Sequence, residues 1–185
     1  MYINIHTYKS GNNRNLSDNV VTERHGTRLF FLRGMNISPQ LNSNLLTKYI
    51  PEAVLLFSDK ENFGQEAGHS IWGGQQLESF YRLGKHDYLK SFLVVSVTRV
   101  PEISIDGFVQ QFSSVKQHMM MINGLMEQHL CAYQKIEYIE YCNLAFWESH
   151  ASFTKAMSMQ RFNEKMRVSY DIEGKTLVYF FEMLQ

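Results

Sequence analysis

Seven histidines, two cysteines and ten methionines are the groups in this 185-residue chain that could bind a metal or carry a proton or an electron pair. Their spacing does not build a metal centre. His69 and His86 stand apart, with no partner at the intervals that zinc or iron ligands keep. Asn4 and His6 make an Asn-x-His pair on an expected strand and could face one pocket, although ordinary strand polarity explains them equally well. His118 and His129 fall beside an expected helix and strand, where packing or surface roles account for them. No Ser-His-Asp order, phosphate-cradling glycine loop or zinc-like cysteine spacing occurs. Cys131 and Cys142 read as reduced, packed thiols, on strands that could bring them within disulfide reach. Met119, Met120 and Met121 cluster where a helix should end. Adaptable thioethers there suit a partner surface, and a packed helix end explains them as well.

Composition limits what these groups can serve. Apolar residues make up 44% and aromatics 14%, so a substantial core is expected. Eighteen basic and 18 acidic residues cancel. No basic stripe points to nucleic acid, and no polybasic run points to an anionic membrane. No apolar stretch nears the roughly 20 residues that span a bilayer. Residues 1–11 lack a signal-peptide pattern, so the expected compartment is the cytoplasm.

The elements that must position any site are clearest after Phe92. FLVVSVTRV at 92–100 is a β-rich run ending at Pro101. Ser104 offers an N-cap, and Ile105, Phe108, Val109, Phe112, Val115 and Met119 follow at helical spacing. Asn123-Gly124 ends that helix. Strands are expected at 125–133 and 138–147, then a helix capped by Ser149 that buries Phe153, Ala156 and Met157 and continues through Phe162 and Met166. Gly174-Lys175 turns into a last strand at 176–183. This β-α-β-β-α-β order is ferredoxin-like. The last strand is apolar on both faces, with Leu177, Tyr179, Phe181 and Met183 on one and Val178 and Phe180 on the other. Helices cover one face only, so a second sheet is required, from a twin copy or from the N-terminal half.

Residues 1–91 form an expected smaller, β-rich α/β subdomain preceding the domain at 92–185. Strands are expected at Tyr2–Tyr8, 28–33 and 53–58, a long surface loop at 34–51 and a short helix at 75–83. IWGGQQLESFY at 71–81 loosely echoes FWESHASFTKA at 146–156, as a Trp followed by a short helix, which makes an internal duplication worth testing.

The tract from Phe92 through Asn123-Gly124-Leu125 to FWESHASFTKAMSMQRFNEKM at 146–166 resembles an antibiotic-biosynthesis-monooxygenase domain, of the dimeric α+β barrel type. The aromatic at the end of the third strand and the W-E-S-x-x-x-F helix start are matched by Trp147, Glu148, Ser149 and Phe153. With residues 1–91 in front, the layout is similar to HmoB-type heme monooxygenases and to TRAP signalling and stress proteins. The resemblance implies a homodimer and a heme or planar aromatic ligand. Its alternative is a catalytically silent regulatory or stress-response protein acting through protein contacts.

Heme-degrading members use an asparagine on the first domain strand, a tryptophan in the second helix and a histidine ligand near that helix's end. Here those positions fall around Ser96 to Thr98, at Ala156, and at or beside Met166, so none of the three is present. Met166 or His150, or Asn4 with His6, would have to serve instead. Cofactor-independent members hold an aromatic substrate in an apolar cavity while a few polar groups assist its deprotonation. Candidates for that role are Trp147, Tyr141, Asn143, His129 and Tyr179; core packing is the competing explanation for the aromatics.

Overall fold

The run at 92–101 sorts its side chains by simple alternation, and that alternation organises the molecule. A computed structural model describes residues 1–7, 28–37, 45–58, 69–81, 88–159 and 176–183. Strand β6 (Phe92–Pro101) sends Leu93, Val95 and Val97 into one core cluster and Phe92 and Val94 into another. It pairs antiparallel with β8 (Tyr138–Trp147) on one side and β9 (Thr176–Met183) on the other. Strand β7 (Leu125–Gln134) completes the ferredoxin-like sheet against β8.

Helix α1 (Ile105–Met119) connects β6 to β7 and buries Phe108, Val115 and Met119. Ser104 takes the N-cap position but its side chain makes no capping hydrogen bond, and Val109 lies off the buried stripe at 39% exposure. Gly124 carries φ +91°, and a Cβ there would meet Ser152 Cβ at 2.6 Å, so glycine is required where the chain turns into β7. Helix α2 (His150–Met157) starts as expected: Ser149 Oγ accepts the Ser152 N–H at 3.1 Å, and Phe153 and Ala156 are buried. Residues Phe162, Met166, Gly174 and Lys175 lie outside the described residues.

The N-terminal half supplies the second sheet. Strands β1 (Tyr2–Thr7), β2 (Arg28–Gly34), β4 (Glu52–Ser58) and β5 (His69–Tyr81) pair antiparallel and continue the same ladder. Strand β5 joins β7 through six register pairs from Gln75↔Ala132 to Tyr81↔Glu127. Strand β2 meets β9 at Leu32↔Met183, Arg33↔Glu182 and Gly34↔Phe181. The order β2-β4-β1-β5-β7-β8-β6-β9 therefore closes on itself as an eight-stranded ring. Eight strands leave a bore that side chains just fill. Ile3, Ile5, Phe30, Leu32, Leu55 and Phe57 enter it from the N-terminal half, and Leu93, Val95, Leu144, Phe146, Tyr179 and Phe181 from the other. The second greasy face of β9 is thus covered within one chain, and it no longer calls for a twin copy.

Two expectations for the N-terminal half are corrected. Residues 75–81 are strand, not the first part of a helix, so the echo of 146–156 as Trp-plus-helix lapses. Pairing with β1 on one edge and β7 on the other holds this stretch extended as β5. The loop expected at 34–51 contains β3 (Leu45–Thr47), parallel to β9 at Leu45↔Thr176, Leu46↔Leu177 and Thr47↔Val178. Gly34 allows the return: a Cβ there would lie 1.7 Å from the Ile50 carbonyl oxygen. Among the described residues no helix is long and apolar enough to cross a membrane.

Candidate ligand pocket

Alternation gives β6, β7 and β8 two faces, and the one turned away from the bore carries a cavity. It lies between α1 and the sheet, has a volume of about 40 Å3 and is partly open. The helix contributes Phe108, Gln111, Phe112, Val115 and Met119, and the sheet contributes Ser96, Thr98, Gln128, Leu130, Tyr141 and Asn143. One wall is thus largely apolar and the other largely hydroxyl and amide. These groups are held from behind. Ser96 pairs with Asn143 in register across β6 and β8. Gln128 Nε2 donates to Asn143 Oδ1 at 2.7 Å, and the Thr98 and Thr176 hydroxyls bond at 2.9 Å. Tyr141 stacks on Phe108 with ring centroids 4.4 Å apart. Burial, with a smaller contribution from Asp106, pushes the Tyr141 phenol above its ordinary value, so it is a hydrogen-bond donor at neutral pH.

Of the residues proposed from sequence, Asn143 and Tyr141 line this cavity. Trp147 shares the same face at the far end of β8, buried beneath α2 in T-shaped contact with Phe153 at 5.6 Å; its indole N–H finds no acceptor among the described residues. His129 points the opposite way. Met126 is a bulge, since the β7–β8 register shifts between Leu125 and Glu127, and one extra residue reverses the alternation. Glu127 and His129 therefore enter the bore. There the Glu127 carboxylate accepts from the Tyr88 hydroxyl and bonds His129 Nε2, while Phe57 lies 5.0 Å and Phe146 6.2 Å from the imidazole. Tyr179 also faces the bore, stacked on Phe181.

Of the expected cofactor ligands, two are described, and they lie on different elements. His150 sits exposed at the start of α2, its ring 4.9 Å from Phe92. Asn4 is buried on β1, in the half of the ring built by residues 1–81, and its Nδ2 finds no partner among the described residues. The His6 side chain and Met166 lie outside what is described, as do the side chain of His69 and all of His86. His118 caps a carbonyl of its own helix, Ser114 O, at 3.0 Å. Among the described residues no group of three His, Cys, Asp or Glu could hold a metal ion. Cys131 and Cys142 face each other in register inside the bore as free thiols, both pushed up by burial.

Sequence reasoning missed Gln111 and Gln128. Gln111 was legible: it sits three residues after Phe108 and four before Val115, a polar residue on a buried stripe. Gln128 was hidden by the Met126 bulge.

No family model matches the sequence, and neither does any curated protein. Solved structures do match over almost the whole chain. One is a major regulator of staphylococcal pathogenesis, at TM-score 0.66 and 9% identity, with 100% of each chain covered. Another is the heme-degrading enzyme of Listeria monocytogenes, at TM-score 0.58 and 12% identity, covering 97% of this chain and 98% of that one. A third is a ferredoxin-fold protein related to antibiotic biosynthesis monooxygenases, also from Listeria monocytogenes, at TM-score 0.60 and 15% identity, covering 97% and 93%. At these identities the likeness establishes the fold: an α+β barrel shared with monooxygenase-like proteins.

Proposed function

We propose that this chain is a monooxygenase-type protein that binds a small planar aromatic molecule between α1 and the β6–β8–β7 face and works in the cytoplasm. The observation that carries the reading is the cavity itself. Phe108, Phe112 and Leu130 offer ring-sized apolar contact, while Ser96, Gln128, Tyr141 and Asn143 supply hydrogen bonds. The described walls hold no His, Asp, Glu, Lys or Arg. A substrate must therefore be acidic enough to lose a ring proton to solvent water at the open side of the cavity, with only neutral polar groups to stabilise the anion. Tyr141, kept protonated, donates to the oxygen on which negative charge develops. The deprotonated ring then reduces O2 directly: a ring methylene and O2 become a ring carbonyl and water.

Heme does not fit the described walls. The first-strand position is occupied by Ser96 to Thr98 and the helix position by Ala156, which packs in the Phe92–Phe153–Phe180 cluster. No imidazole is among the described residues that line the cavity. These same absences support the second reading, a catalytically silent TRAP-like regulator; exposed Ile103, Met121 and Ile136 would then offer protein contacts.

Oxygen uptake with a panel of quinols and anthrones separates the two readings. Substrate-dependent uptake that is lost in Tyr141→Phe with Asn143→Leu supports the enzyme. No uptake with any member, together with no saturable Soret shift on adding hemin, leaves the silent regulator.

A further inference from the structure

The polar wall carries a selectivity that the fold alone does not specify. Gln128 is only 4% exposed. Its Nε2 is committed to Asn143 Oδ1 at 2.7 Å, which sets the plane of the amide. Its Oε1 is then buried with no donor among the described residues, in a residue that lines the cavity, and Gln111 Oε1, on the helix opposite, is in the same state. A buried acceptor without a donor is costly, so a ligand that brings O–H or N–H groups gains by meeting it.

The same wall opposes anions. The described residues that line the cavity include no cationic side chain, and the Thr98 hydroxyl is already committed to Thr176. A carboxylate entering here would lose its water and meet two amide oxygens, with the neutral Ser96 and Tyr141 hydroxyls as donors but no counter-charge to offset its burial. We infer that the pocket selects uncharged ligands bearing hydrogen-bond donors, received by Gln111 and Gln128, and rejects ligands that carry carboxylates. This rests on the cavity being the ligand site. It adds which molecules can enter, and it makes the two glutamines specificity-determining residues.

The test is a titration of the 15N-labelled full chain with resorcinol, its dimethyl ether and benzoate, read from side-chain amide and backbone resonances. Resorcinol should bind roughly tenfold or more tighter than the ether, at about fivefold per hydrogen bond, and should move the Gln111 and Gln128 amide signals. Benzoate should give no saturable shift at the pocket. Gln128→Met and Gln111→Met should each remove about fivefold of the resorcinol preference and leave ether binding unchanged. Should Gln128→Met fail to fold, Gln111→Met on the half-buried helix face answers alone. Equal binding of resorcinol and ether, or benzoate binding as tightly, overturns the selectivity while leaving the cavity as a ligand site. Absence of pocket shifts with all three compounds overturns the inference together with its premise.

Discussion

Strands β6, β7 and β8 serve two environments at once, and their faces differ in kind. On the bore side, Leu93, Val95, Leu144 and Phe146 are each at most 1% exposed, and two polar side chains there, Glu127 and His129, are bonded to each other. On the helix side, Ser96, Thr98 and Gln128 are nearly as buried, yet they surround a cavity and two glutamine oxygens without donors. The bore is a filled core in which Glu127 bonds both His129 and Tyr88, although the Trp72 indole N–H there finds no acceptor among the described residues. The helix face instead borders a cavity, and a ligand that brings donors there would satisfy its two glutamine oxygens.

Breaking the bore should therefore cost stability, whereas breaking the helix face should cost binding. Phe146→Ala, which removes a ring packed on Phe30, Phe57 and Tyr88, is expected to destabilise by about 3–5 kcal/mol in denaturant unfolding. Glu127→Ala, which strips His129 and Tyr88 of a shared partner, should cost a similar ~3 kcal/mol; Glu127→Gln, still able to accept from Tyr88, should cost less. Ser149→Ala should lose about 1 kcal/mol with the α2 cap. Tyr141→Phe should change unfolding by less than about 1 kcal/mol while weakening ligand binding. A Tyr141→Phe variant as unstable as Phe146→Ala would erase the distinction between the faces.

A pH series sharpens it. Burial raises the Cys131 and Cys142 thiols and the Tyr179 phenol in the bore. The folded state then holds protons that the unfolded chain releases above the ordinary thiol value of 9.0. Their contribution is fully present below that pH and is lost as the pH rises past it. The unfolding midpoint should fall in alkali, and Cys131→Ala with Cys142→Ala should flatten the fall. A thiol reagent at neutral pH should label neither cysteine until the barrel unfolds.

The C-terminal half was legible because each local signal agreed with the fold: alternation in 92–100, the Ser149 cap, the Gly124 turn and the two apolar faces of 176–183. Ring closure was half legible. The uncovered face of β9 demanded a second sheet, but a pairing between Gly34 and Phe181, so far apart in sequence, leaves no local mark. Strand β5 was misread because Gly73-Gly74 and the shift between Gln76 and Glu78 interrupt its alternation. Of the candidate residues, Tyr141 and Asn143 line the cavity because their strand is regular, whereas His129 enters the bore because one bulged methionine reverses the sides.

The most direct test of a ligand face opposed to a structural face is residue-resolved NMR of the full chain titrated with a naphthalene diol under argon. The account predicts saturable shifts clustered at Ser96, Thr98, Gln111, Gln128, Tyr141 and Asn143, with Leu93, His129 and Phe146 unmoved. Shifts centred on the bore residues, or none at the α1 pocket with any diol, would contradict it.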